Sequence, residues 1–285
     1  MIVSAKDLAL REYEFPFLVD PVIPSGGIVF VHGKRAIGKT HLCLTLSAAL
    51  SGGGMLFGRY QTHKARTLYI QADTPEAVQA ERVRKATTIY SMDEVYFYFP
   101  KYLNITTLHR DEELLTELQS VEADLVIWDT LRKTHKGGSN DDDVPSMVYG
   151  SAHDLFPDTT HMFVHHDKKT IVDQNQLDPD ELFRGSGAWL DDADTGIHLS
   201  ETAPGRLALN FTKVRTAPPQ DPIALVLHSD ALTLYSPGSA EKLAAAWKLE
   251  NPNGTPDDLY QYLLSCFVSS PKMASKIAYR NGRHE

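Results

Sequence analysis

The chain has 285 residues, 42% of them hydrophobic and 23% charged, a composition ordinary for a folded globular protein and wrong for a disordered or collagen-like one. No apolar run approaches the roughly 20 residues of a membrane-spanning helix, and the N-terminus MIVSAKDLALREYEF is too charged for a signal peptide, so a cytoplasmic protein with no membrane partner is expected. Against 28 basic residues stand 37 acidic ones, a formal charge of -9 that excludes a surface coating nucleic acid indiscriminately but allows a local basic channel.

Taken in chain order, apolar β-rich runs alternate with helix-like stretches. Strands are expected at 26–32 (GGIVFVH), 67–72 (TLYIQA), 95–99 (VYFYF), 125–128 (LVIW) and 161–165 (HMFVH). Helices are expected near 39–50, 75–90, 109–121 and 145–156. That rhythm predicts an α/β fold, a mostly parallel sheet covered by helices on both faces. After about residue 195 the runs TGIHLSE, GRLALNFTKV, PIALVLHS and ALTLYS follow one another without helices, as in an antiparallel extension of the same sheet. From residue 236 the pattern turns helical again, at 239–249, 256–268 and 271–279, with Pro237-Gly238 as a linker. The expected domains are therefore 1–236 and a small helical appendage, 237–285. Cys43 and Cys266 lie far apart without metal-ligand spacing, which indicates neither a disulfide framework nor a zinc site.

The most specific motif is G-x-x-x-x-G-K-T, formed by Gly33, Lys34, Arg35, Ala36, Ile37, Gly38, Lys39 and Thr40, with His41 opening the helix behind it. Backbone N–H groups of such a loop converge on phosphate oxygens, the lysine neutralises the β and γ phosphates, and the threonine hydroxyl ligates Mg²⁺. ATP and Mg²⁺ are the expected cofactors. A second carboxylate must reach the metal from the end of a neighbouring buried strand, and Asp129, closing DLVIWD, fits that position.

Together with YIQADTPE, LVIWDTL, FVHHDKK, RGSGAWLDDAD and NFTKVRT, in that order, the P-loop resembles the RecA-like ATPase superfamily, most closely the RepA-type and DnaB-type hexameric replicative helicases, over about residues 20–220. The resemblance implies a RecA-like core and further roles. Asp73 stands where the family has a glutamate that polarises the attacking water, one methylene shorter here, with Glu76 as an alternative. His166, with His165 second, matches the polar sensor of the γ-phosphate; the paired histidines lack companions at zincin spacing and do not suggest a metal. Arg82 matches a residue that stacks on adenine. Lys213 and Arg215 match the lysine and arginine fingers that a neighbouring subunit inserts against the γ-phosphate, and Arg184 is a weaker candidate.

By the same resemblance, the loops after the strands ending near 129 and 166 face a central channel. Their basic residues, Arg132, Lys133 and Lys136 in the first and Lys168 and Lys169 in the second, are the expected contacts to single-stranded DNA, although both loops also carry aspartates and neither supplies stacking aromatics beyond Phe183 at its edge. The implied function is an ATP-dependent helicase or translocase working in replication as a homo-oligomeric, hexameric ring. Two alternatives stay open. One is a RecA-type recombination ATPase that forms filaments. The other is a low-turnover ATP-gated scaffold or loader, which Asp73 and the acidic loops favour, as does the short stretch before the core.

Overall fold

In a computed structural model of the full chain, residues 2–10, 16–136, 143–167, 187–238 and 240–279 are described. Their centre is a nine-stranded sheet. From edge to edge its strands are Leu234–Tyr235, Ile223–Leu227, Arg206–Val214, Thr195–Ala203, Ile28–Gly33, Thr160–His166, Leu125–Asp129, Thr67–Gln71 and Val95–Tyr98. The six strands from Thr195–Ala203 to Val95–Tyr98 pair in parallel, and the three on the other side pair antiparallel. The expected division into parallel core and antiparallel extension is what forms.

Burial explains why the central strands read as continuous apolar runs. Every residue of Ile28–Gly33, Thr67–Gln71 and Leu125–Asp129 is buried, because helices cover both faces. Side chains alternate between two cores. Val29 and Val31 meet Leu42, Leu46 and Leu50 of helix Lys39–Gly52 on one face, while Phe30 joins Trp128, Phe163 and the Val148, Ala152 and Leu155 stripe of helix Asp143–Leu155 on the other. Burying these side chains is worth about 1.5–3 kcal/mol for each large aliphatic or aromatic residue.

One layer was not expected from sequence. Ile23–Pro24, Phe17–Asp20, Tyr60–Thr62 and Gly54–Leu56 form a separate antiparallel sheet in that order. Its strands are two to four residues long, too short to show alternation. The helix expected at 109–121 is divided into a 3₁₀ segment, Ile105–Arg110, and helix Glu112–Gln119, since Asp111 caps the second by accepting from the Leu114 amide.

Near the C-terminus, helices Ala240–Glu250, Pro256–Ser265 and Pro271–Ala278 pack on one another through Ala244, Leu259, Leu263, Ala274 and Ile277. Thr255 and Asp258 close a capping box around Pro256, the expected helix start. Between the last two helices Phe267 takes a left-handed φ of 52° and turns into the main core, where its ring stacks on Tyr90 at 4.4 Å. Cys43 and Cys266 are both buried free thiols.

A candidate nucleotide site at the carboxyl ends of the strands

The P-loop leaves the sheet where a parallel α/β fold places its ligands, beyond the carboxyl end of a central strand. Gly38 has φ 110° and caps helix Lys39–Gly52, a conformation that a side chain would strain. Gly33 passes so close to its neighbour strand that a Cβ there would lie 2.5 Å from the Leu199 carbonyl oxygen. Both glycines of the motif are thus required by geometry as well as by phosphate.

Lys39 is buried and folds back on the loop, its Nζ donating to the carbonyls of Gly33 at 2.7 Å and Lys34 at 2.8 Å. Burial lowers its pKa to about 8, although Asp167 and Asp129 pull in the opposite direction. Thr40 Oγ1 donates to Asp129 Oδ2 at 3.0 Å, so the two expected metal ligands meet. A hydroxyl and a carboxylate are hard oxygen donors and fit Mg²⁺, which keeps several of its waters.

The same Asp129 oxygen accepts from Tyr69 Oη at 2.7 Å and from Gln71 Nε2 at 3.1 Å. Gln71 then turns its carbonyl the other way, accepting from the amides of Asp73 and Thr74, each at 3.1 Å. One side chain therefore ties the metal carboxylate to the turn that carries Asp73. Sequence reasoning missed Tyr69 and Gln71. The signal was present in the run YIQADTPE, where period two puts both on the face of the strand opposite to Leu68 and Ile70.

Asp73 lies between an ammonium group and an imidazole. Lys133 Nζ stands 3.0 Å from Oδ1 and also donates to the Ala72 carbonyl at 3.2 Å, and His166 Nε2 is 3.6 Å from Oδ2. Burial alone would raise the Asp73 carboxyl, but Lys133 and then His166 outweigh it and hold the group below the usual carboxylate range. Burial likewise lowers the pKa of His166, with the Lys39 ammonium adding to the effect. Lys39, Thr40, Asp73, Asp129 and His166 thus gather at one end of the sheet. Lys133, expected on a nucleic-acid loop, is bound into the same cluster.

His165 is half-buried on the opposite face of its strand beside Phe30, and loss of solvent lowers its pKa to about 4. Glu76 falls in the first turn of helix Glu76–Ala86, and Arg82 on that helix donates to Gln79 Oε1 at 3.1 Å. His41 Nδ1 bonds to the Leu232 carbonyl at 2.8 Å. Lys34 and Arg35 are exposed at the tip of the loop, with Ala36 and Ile37 completing its turn back to the helix. Arg132 is exposed, and Lys136 lies over the ring of Tyr102 at 5.3 Å. Lys168, Lys169 and Arg184 lie outside the described residues.

Lys213 and Arg215 are elsewhere. Lys213 pairs with Gly196, which pairs with Phe30, three residues before Gly33. At about 3.3 Å per residue this sets them about 10 Å or more back along the sheet, toward the end away from their own P-loop. Their side chains close the end of helix Gly187–Asp192: Lys213 Nζ donates to the carbonyls of Leu190 at 3.0 Å and Asp191 at 2.5 Å, and Arg215 donates to the same Asp191 carbonyl at 2.9 Å.

A family model described as an AAA domain matches residues 4–171, more than half the chain. The chain belongs to the AAA domain family. This AAA domain chain is similar to a separately solved ATPase domain, with a TM-score of 0.55 at 12% identity, over 74% of this chain and 84% of that one. It is similar also to a DnaB-like replicative helicase solved for its interactions with primase, with a TM-score of 0.55 at 11% identity, over 74% of this chain and 57% of that one. Likeness at such identities is likeness of fold, and it establishes the RecA-like P-loop ATPase architecture expected from the sequence. A search of the curated proteins returns no match. Among the described residues no helix is long and apolar enough to cross a membrane.

Proposed function

We propose that the protein binds and hydrolyses ATP with Mg²⁺ and works in the cytoplasm as a ring-shaped oligomer, a helicase or translocase acting on single-stranded DNA in replication. The observation that carries this reading is the separation, within one chain, of the cluster around the P-loop from the two basic residues that match the fingers. Lys39, Thr40, Asp73 and Asp129 are gathered at one end of the sheet, while Lys213 and Arg215 are set back toward the other. A cation that must stabilise charge on a γ-phosphate, yet is held away from its own loop, serves the loop of a neighbour. The likeness to an ATPase domain and to a DnaB-like replicative helicase supports a DNA-directed use of that site.

In the proposed chemistry the P-loop amides and Lys39 hold the phosphates. Thr40 and Asp129 hold Mg²⁺, which neutralises charge on the phosphate oxygens. Asp73 orients the attacking water, and His166 senses the γ-phosphate beside it. Arg82 would stack on the adenine, with His41 opening the helix behind the loop, and Arg132 and Lys136 remain to contact DNA.

A low-turnover, ATP-gated scaffold or loader is the second reading, favoured by the pairing of Asp73 with Lys133, since a carboxylate held below its usual range is a weaker base. ATPase rates measured with and without single-stranded DNA, alongside particle size by electron microscopy in ATP, test both. DNA-stimulated turnover by rings supports the first reading. ATP-dependent assembly without turnover supports the second, and a monomer with full turnover defeats both.

A further inference from the structure

Beside the P-loop, but outside the nucleotide site, three side chains from three adjacent strands converge in the interior. His32 is the next-to-last residue of the P-loop strand, just before Gly33, Asp167 follows the sensor strand, and His198 lies on the strand that pairs directly with His32. His32 Nδ1 is 2.9 Å from Asp167 Oδ1, and His198 Nε2 is 3.6 Å from Asp167 Oδ2. The two imidazoles stack at 4.5 Å with 19° between their planes, and the side chains of His32, Asp167 and His198 are 0%, 2% and 9% exposed. Asp167 Oδ2 is buried and has no hydrogen bond among the described residues, His198 being beyond hydrogen-bond reach.

We propose that His32, Asp167 and His198 form a binding site for a borderline-soft divalent metal ion of the Zn²⁺ class. One donor atom from each lies within 4.8 Å of the others. An ion with bonds of about 2.0–2.1 Å to nitrogen and oxygen in tetrahedral geometry separates its donors by about 3.3 Å, and the nitrogen-to-oxygen spacings of 2.9 and 3.6 Å, one to each oxygen of the Asp167 carboxylate, fall on either side of that value. Two imidazoles and one carboxylate select Zn²⁺ over Mg²⁺, whose preference is for oxygen alone. One anionic ligand also leaves the site a net positive charge when filled, close to a loop that receives polyphosphate.

Its position gives the ion a mechanical task. The Asp167 amide donates to the Gly33 carbonyl at 3.1 Å, and that carbonyl also accepts from Lys39. A metal at this point clamps the P-loop strand, the end of the sensor strand and the first strand of the hairpin that carries Lys213 and Arg215. It uses neither Thr40 nor Asp129, so it stands independently of the nucleotide reading.

The test uses the full chain without a polyhistidine tag, stripped with a chelator and then exposed to Zn²⁺ or Co²⁺. One retained equivalent of Zn²⁺ by elemental analysis, and the intense visible d–d bands of four-coordinate Co²⁺, are expected. His198→Ala and Asp167→Asn should lower retained metal about tenfold or more, while Thr40→Ala retains it. His198→Gln, which keeps a hydrogen-bonding side chain, replaces His198→Ala should the latter fail to fold. A folded wild-type chain that keeps no equivalent, or an equivalent that persists in the folded His198 variants, overturns the proposal.

Discussion

Lys133 Nζ stands 3.0 Å from Asp73 Oδ1, so the cation expected to grip nucleic acid instead grips the carboxylate expected to orient water. Whatever reaches for Lys133 from outside, a phosphate of a strand above all, must compete with Asp73. Under the proposed function, contact with DNA and the state of Asp73 would be linked through a single ammonium group.

Lys133→Met tests that link through pH. In the native chain Lys133 and His166 hold the Asp73 carboxyl below its ordinary range against the opposing effect of burial. Activity that needs ionised Asp73 is present above its folded pKa and lost as pH falls through it. Without the lysine that pKa rises, so the acid limb of the ATPase profile should move to higher pH in Lys133→Met. An unmoved limb would separate Asp73 from the rate.

Gln71 offers a sharper structural test, because it contacts both Asp129 and the amides of Asp73 and Thr74. Gln71→Leu keeps approximate volume and removes every one of these bonds. Turnover should fall about 10–100-fold, the usual cost of losing a partner that orients a metal ligand, with nucleotide affinity in the absence of Mg²⁺ little changed. Stopped-flow binding and steady-state hydrolysis would distinguish the two effects.

Lys39 predicts a proton count. Burial depresses its pKa to about 8, and polyphosphate favours the charged ammonium. In mildly alkaline solution some of the sites hold a neutral lysine, so ATP binding should take up a fraction of a proton through this group, and less of one at about pH 6.5. Calorimetry in buffers of different ionisation enthalpy reads this directly. Lys39→Ala should abolish both the uptake and the activity.

Arg215→Ala should preserve ATP binding and lower turnover by about 10³-fold or more. Mixing it with Lys39→Ala subunits should restore activity at interfaces where an intact loop meets an intact finger. Because Arg215 also donates to the Asp191 carbonyl, circular dichroism should accompany the assay. Full activity of the folded Arg215→Ala chain would remove the finger role.

Phe267→Ala addresses the C-terminal helices. The ring is 2% exposed, stacked on Tyr90 and surrounded by the main core, so its loss should cost about 3–5 kcal/mol in denaturant unfolding. A change below about 1 kcal/mol would mean that these helices are not anchored through this residue.

What the sequence made legible follows from how each feature is encoded. The P-loop is contiguous and its residue types are forced by phosphate geometry, so Gly33 to Thr40 could be read directly. Asp129 was legible because it ends a run that only a buried strand produces. Gln71, Lys133 and the His32, Asp167 and His198 cluster depend on which strands become neighbours and in what register, and no local pattern states that. The four-stranded outer sheet escaped for a different reason: two to four residues cannot display a period of two.

The placement of Lys39 and Arg215 toward opposite ends of one sheet gives the chain a head and a tail. A contact that brings the tail of one copy to the head of the next joins two unlike surfaces, and two copies so joined cannot be related by a two-fold axis. Each new copy leaves one head and one tail open, so growth halts only when the rotation per copy brings the last tail back to the first head. Any assembly made through this contact is directional, with every site facing the same way along it.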